Sequence, residues 1–285
     1  MKLKSIFGLA AIGLLSVSVL TACGSKESKG ADDPSVVRVG LMAKSESEEA
    51  RWDKVEELLE DQGVTIEYTE FTDYSQPNKA LNNGENDINA FQHYNFLNNW
   101  NSENDADLTA IAETYFTAFR LYSGTENGKN SYTDVSQIPD DAVIAIPNDV
   151  VNESRALYLL QSAGFIKLDV SGDTMANLSN IIDNPKNLDI KEVDAAQTAA
   201  NLTSVDAAVI NNDFVTAAGI DPSTAIFIEP ASDNSKQWYN LLVAQKDWEK
   251  SDKAESIKKV IQAYQTDEVR KVIEESSQGL DEPIW

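Results

Sequence analysis

Apolar positions along the chain fall into short runs and helical stripes that take turns. Val36-Val37-Arg38-Val39-Gly40-Leu41 is a short run of strand type. Trp52, Val55, Leu58 and Leu59 then recur at helical spacing, and Gly63 marks the stop before a second strand over 64–68. Further strands are predicted over 108–112, 142–146, 188–193, 207–210, 225–228 and 241–244, with helical patterns between most of them. Near the end, Ile257, Val260, Ile261 and Tyr264 share one face. Val269, Val272 and Ile273 continue that face with a shift of phase, which reads as one long last helix. Strand–helix alternation of this kind predicts an α/β fold with mostly parallel sheets. No repeat of fixed period is visible in the sequence.

The first 22 residues do not belong to this pattern. Lys2 and Lys4 precede an apolar stretch, and small residues Thr21 and Ala22 stand before Cys23, the layout of a secretory signal. The competing reading is a transmembrane anchor, but 6–22 is at the short limit for a span. Leu20-Thr21-Ala22-Cys23 resembles the bacterial lipobox, in which the cysteine thiol takes a diacylglyceryl group and becomes the new N-terminus. Two acyl chains suffice for a stable membrane anchor where one is marginal. Cys23 is the only cysteine, so no internal disulfide is expected. Residues 23–34 read as a lipidated, flexible tether rich in Ser, Gly, Lys and Asp. The folded body then runs from Ser35 to Trp285.

Charge and chemistry narrow the function by exclusion. The net charge of −24 becomes −26 once Lys2 and Lys4 leave with the signal, which argues against nucleic acid as a partner. With one histidine, His93, and the one cysteine assigned to lipid, a Cys–His pair and a multi-histidine zinc site are both ruled out. There is no G-x-S-x-G, H-E-x-x-H, P-loop, G-x-G-x-x-G or EF-hand loop. The expectation is a non-enzymatic protein without metal or cofactor.

Three local features suit a small amphipathic ligand. In 87–97, the rings of Phe91, His93, Tyr94 and Phe96 fall within six residues at the end of a short strand. Such a cluster can wall an apolar pocket, although Tyr94 and Leu97 read better as core and His93 alone reads as a structural histidine. In 145–157, a buried-type strand enters a Pro147-Asn148-Asp149 turn, and Asn152 is placed as the N-cap of the following helix. That puts Arg155 in the first helical turn, where free N–H groups favour an anion and a guanidinium adds a bidentate fork for a carboxylate. The alternative is an exposed arginine paired with Glu153 or another acid. Last, Asn211 and Asn240 each adjoin a strand, where an asparagine binds an ammonium or caps a turn.

Several stretches, taken together, resemble the methionine-binding lipoproteins of bacterial uptake transporters, the NlpA/MetQ family. They are Phe71-Thr72-Asp73-Tyr74-Ser75-Gln76-Pro77-Asn78, Phe91-Gln92-His93, Pro147-Asn148-Asp149 with Asn152 and Arg155-Ala156-Leu157, Asn184-Pro185-Lys186-Asn187-Leu188, Val209-Ile210-Asn211 and Asn240-Leu241. The resemblance covers 36–285. It implies a two-lobed, periplasmic-binding-protein-like (type II) α/β fold with a cleft between lobes. On it, one lobe takes 35–118 plus 230–285 and the other 119–229, with a hinge near Phe119 and Glu229. It also implies capture of L-methionine for an ABC permease and its ATPase subunit, on the extracytoplasmic face of a cell membrane, with the lipid on Cys23 as anchor. Arg155 and Asn152 would hold the ligand carboxylate, and Asn211 and Asn240 its backbone polar groups. Tyr74, Phe91 and His93 would enclose the side chain, with Phe96 where relatives usually have tyrosine. A thioether gains about 0.3–1.5 kcal/mol per good aromatic contact, and each buried methylene about 0.8 kcal/mol. Departures from the family pattern at 114–119, 198–200 and 237–239 leave another amino acid, a methionine-containing dipeptide, or an adhesion role without transport as alternatives.

Overall fold

The computed structural model describes residues 33–285 apart from Asp173 and Asp233. The expected signal, Cys23 and nearly all of the tether lie outside the described residues.

Two five-stranded sheets form the body. The first has the order Thr65–Phe71, Val36–Met42, Ile88–His93, Asn240–Ala244, Thr109–Glu113. Its first three strands are parallel, and Asn240–Ala244 runs antiparallel to both neighbours. The second has the order Asp189–Val193, Val143–Pro147, Ala207–Ile210, Arg120–Ser123, Ala225–Ile228. Again three strands are parallel and the fourth, Arg120–Ser123, is antiparallel to both neighbours. In each sheet the antiparallel strand is the one delivered by chain arriving from the other sheet. The two halves thus share one plan, although no sequence repeat announces it.

Each sheet has its own core. Val37, Val39 and Leu41 alternate inward and meet Trp52, Val55 and Leu59 of helix Glu46–Leu59, with Ile257, Val260, Val269 and Ile273 from the C-terminal helices. Ser45 caps the first of these helices, and Gly63, at φ 67°, ends the turn that follows it, where a side chain would be strained. In the other half Ile144, Ile146 and Val209 pack on Leu157 and Leu160 of helix Val150–Ser162. A fully buried aliphatic side chain contributes about 1.5–3 kcal/mol, so each half has a sizeable driving force of its own.

Three features differ from the sequence expectation. The last long helix is two, Ala254–Tyr264 and Asp267–Ser276, because the hydroxyl of Thr266 accepts from the Val269 N–H and restarts the spiral. The shift of phase read from the pattern is this break. Ile88–His93, a central strand, was visible only as a lead-in to the aromatic cluster, since it buries Asn89 and Gln92 among its apolar residues. Arg120–Ser123 was hidden for the same reason, with Arg120 and Ser123 both buried.

The chain passes between the sheets over 114–119 and again over 229–239. These crossings are tied together: the Glu229 N–H donates to the Phe119 carbonyl at 2.8 Å, and the Phe119 N–H donates to Glu229 Oε2 at 2.9 Å. The strand Asp281–Pro283 pairs antiparallel with Tyr115–Thr117 in the first crossing. Among the described residues no helix is long and apolar enough to cross a membrane.

Candidate functional site

All eight ligand-contact residues proposed from the sequence line one cavity between the two sheets: Tyr74, Phe91, His93, Phe96, Asn152, Arg155, Asn211 and Asn240. Its water-accessible space is about 40 Å³, that of a few waters at roughly 10–15 Å³ each.

One wall is aromatic. Strand alternation puts Phe91 and His93 on the same face of Ile88–His93. The strand is held to helix Pro77–Asn82 by buried amides: Asn78 Nδ2 donates to Gln92 Oε1 at 2.8 Å, and Asn89 Nδ2 and Gln92 Nε2 both donate to Asn78 Oδ1. His93 then caps the next helix, its Nδ1 accepting from the Phe96 N–H at 3.2 Å, which fixes where Phe96 stands. Burial, with the Arg155 charge second, pushes the His93 imidazole down to about 3, so it is neutral and can accept. Tyr74 arrives from the loop after Thr65–Phe71. Ring centroids lie 5.9 Å apart for Tyr74–Phe91 and for Tyr74–Phe96, and 5.6 Å for Phe91–Phe96, within the favourable aromatic range. Tyr94 and Leu97 turn to the core on the other side, Tyr94 donating to Glu113. The sequence reading did not place the rings of Tyr115 and Phe119 in the lining, nor the two rings that pack behind it, Phe214, 5.1 Å from Tyr74, and Trp238, 5.0 Å from His93.

The facing wall is polar and corrects one expectation. Asp149, not Asn152, is the N-cap of Val150–Ser162: its backbone is extended and its Oδ1 accepts from the Asn152 N–H at 2.9 Å. The carboxylate sits three residues upstream, just after the Pro147-Asn148 turn, and takes the free N–H that an anion would otherwise seek. The Asn152 amide donates to the same carboxylate. Arg155 consequently lies in the second turn, away from the free N–H groups. It is 4 % exposed and bidentate to Glu229, through Nε to Oε1 at 3.0 Å and Nη2 to Oε2 at 2.5 Å, and Nη2 also donates to the Thr117 carbonyl. The guanidinium carbon is 4.7 Å from the Trp238 centroid and 5.0 Å from that of Phe119. Glu153, the partner considered from sequence, accepts instead from the Leu178 N–H. Nη1 is the end of the fork that Glu229 and Thr117 leave unengaged.

Asn211 Nδ2 donates to Asn152 Oδ1 at 3.1 Å, while its own Oδ1 is buried without a partner among the described residues. A buried acceptor left unmade costs about 1–3 kcal/mol, so this atom calls for a donor from the cavity. Asn240 pairs with His93 in the sheet register, which brings it beside the rings. Asp213 was not foreseen at all. It lines the same cavity and accepts the Tyr74 hydroxyl at 2.7 Å, and burial pushes its carboxyl up to about 7. Taken together, a guanidinium end, an unpaired acceptor, a neutral imidazole and a ring wall suit a small zwitterion with an apolar side chain. Among the described residues no group of His, Cys, Asp and Glu could hold a metal ion.

A family model described as NlpA lipoprotein matches residues 37–285. The D-methionine-binding lipoprotein MetQ of Escherichia coli K12 is 33 % identical over 265 residues, 91 % of each chain. The crystal structure of the substrate binding protein of a methionine transporter from Streptococcus pneumoniae is 62 % identical, with a TM-score of 0.86 over 88 % of this chain and 96 % of that one. A nutrient binding protein from Burkholderia cenocepacia bound to methionine is 33 % identical, with a TM-score of 0.78 over 87 % of this chain and 100 % of its own. The architecture is that of a two-lobed, type II substrate-binding protein, with the cavity in its cleft.

Proposed function

This chain belongs to the NlpA lipoprotein family, and from that premise we propose that it captures L-methionine and delivers it to an ABC permease whose ATPase subunit supplies the energy. The observation that carries the reading is the unpartnered Asn211 Oδ1, placed in one cavity with the Arg155 fork and the rings of Tyr74, Phe91 and Phe96. In this reading Arg155 Nη1 and Asn152 take the ligand carboxylate, and Asn211 Oδ1 with Asn240 takes the ammonium. Charge-assisted bonds of this kind are the strong ones. Tyr74, Phe91, His93 and Phe96 surround the thioether, with Phe214 and Trp238 backing Tyr74 and His93 from behind. Neutral His93 adds no charge that would penalise an apolar side chain.

The lobes are 35–118 with 230–285, and 119–229. Their hinge is the paired crossing at Phe119 and Glu229, where the hydrogen bonds already described leave few degrees of freedom. A lipid on Cys23 holds the protein to the extracytoplasmic face of the membrane, within reach of the permease. The protein performs no covalent chemistry.

D-methionine is a second ligand to consider, because relatives at about a third identity carry that name. Mass spectrometry of the small molecules released on denaturing the purified chain, followed by chiral separation, tests both. Near-stoichiometric methionine is expected, with the L form predominant. Release of a different amino acid, or none that can be reloaded, would overturn the assignment.

A further inference from the structure

Asp213 belongs to the half opposite Tyr74. It follows the strand Ala207–Ile210 of the second sheet, in helix Asn212–Ala217, whereas Tyr74 follows Thr65–Phe71 of the first. The two are 139 residues apart in sequence, yet the Tyr74 hydroxyl donates to Asp213 Oδ2 at 2.7 Å. Both residues line the same cavity as Phe91 and Phe96 of the first half and Asn152 and Asn211 of the second, so any rotation that opens the cleft must break this bond.

The residues on either side reinforce it. Asn212 Nδ2 donates to Asp281 Oδ1 at 3.1 Å, again to the opposite half, and Phe214 sets its ring 5.1 Å from that of Tyr74. Asp213 and Phe214 thus reach across the cleft, and Asn212 ties the same helix to the strand paired with the first crossing. The Tyr74 ring is itself part of the cavity wall, so whatever holds its hydroxyl also holds that wall shut. We infer that Asp213 is a further affinity-determining residue, a positioning group that clasps Tyr74 across the cleft and retains the ligand by slowing reopening. The inference rests on the binding-protein reading above, but not on which amino acid is bound.

The test is a double-mutant cycle on ligand release, using the full chain purified in detergent, stripped and reloaded with radiolabelled L-methionine. Tyr74→Phe keeps the ring and removes the hydroxyl, Asp213→Ala removes the acceptor, and Asp213→Asn retains an acceptor oxygen. Each of the first two should speed release roughly tenfold, about 1.4 kcal/mol, and the double variant should release no faster than either alone. Asp213→Asn should stay within about threefold of wild type. Unchanged release in Tyr74→Phe, or a double variant that multiplies the two effects to roughly a hundredfold, overturns the clasp. Should Asp213→Ala fail to fold, Tyr74→Phe against Asp213→Asn decides in the same way. A wild type that binds another amino acid in place of methionine defeats the ligand assignment alone, and the cycle is then read with that amino acid.

Discussion

Arg155 and Glu229 form a bidentate ion pair at the place where the chain crosses between lobes, with Glu229 also accepting from the Phe119 N–H of the other crossing. The cation proposed to hold the ligand carboxylate is therefore fastened to the backbone of both crossings, the proposed hinge. The pair is nearly dry, with side-chain exposures of 4 % and 15 %. Glu229 offsets the charge and engages Nε and Nη2, so in the proposed reading Nη1 is the end that meets the ligand.

Removing either partner should have a different signature. Arg155→Ala should weaken methionine binding by about 2 kcal/mol or more, the order found for a desolvated charge pair. Glu229→Gln leaves a buried guanidinium short of its anion and should cost the ligand-free protein about 3–5 kcal/mol. Part of that loss should return on ligand binding, because the ligand carboxylate replaces the missing charge. Thermal melts with and without ligand would show a larger ligand-induced rise in Glu229→Gln than in wild type. An equal rise would detach Glu229 from ligand recognition.

Asn211→Ala removes an acceptor that has no partner among the described residues, together with one hydrogen bond to Asn152. Stability to urea should change by no more than about 1 kcal/mol, while binding weakens by about 1–3 kcal/mol. A variant that binds as tightly as wild type would remove Asn211 from the ammonium site.

The ring wall should distinguish sulfur from methylene. Norleucine matches methionine in length but lacks the thioether, which gains about 0.3–1.5 kcal/mol per aromatic contact. Wild type should prefer methionine, and Phe91→Leu should narrow that preference by about two- to tenfold in the ratio of Kd values. A ratio untouched by Phe91→Leu would mean that Phe91 fills space without reading the sulfur.

Acid should act on this site in two opposing ways. Burial pushes the Asp213 carboxyl up to about 7; the charges of Glu48 and Asp281 add to this, while the Tyr74 hydroxyl and Arg51 pull against it. The folded protein therefore binds this proton more tightly than the unfolded chain. The stabilisation is full below an ordinary carboxylate value near 3.9 and is lost as pH rises through about 7. His93, pushed down to about 3, has the opposite sign: its contribution is present above about 6.5 and is lost as pH falls. The difference in unfolding free energy between wild type and Asp213→Asn isolates the first effect. It should shrink as pH rises from about 4.5 to about 7.5, and a flat difference across that range would contradict the burial argument.

Much of the fold was legible because its strands are apolar runs, as in Val36–Met42 and Ala207–Ile210. Ile88–His93 was obscured because Asn78, Asn89 and Gln92 satisfy one another inside the core, a solution that periodicity cannot register. The eight proposed contact residues meet in one cavity, since short motifs carry them at strand ends, in the loop after Thr65–Phe71 and in the first two turns of helices. Their partners were not legible. Glu229, Asp213, Phe214 and Trp238 join the site through contacts between the two sheets, with separations of 74 residues for Arg155–Glu229 and 139 for Tyr74–Asp213. The misplaced cap is a smaller case: Asp149 and Asn152 are both good caps by residue type, and only the extended backbone at Asp149 separates them.

Isothermal titration of the ligand-stripped full chain with each of the twenty amino acids tests the central claim most directly. Saturable heat is expected with L-methionine at a micromolar or tighter Kd, about −8 kcal/mol or better, and far weaker responses from the other nineteen. No heat with methionine, together with a strong response to a different amino acid or to none, would contradict it.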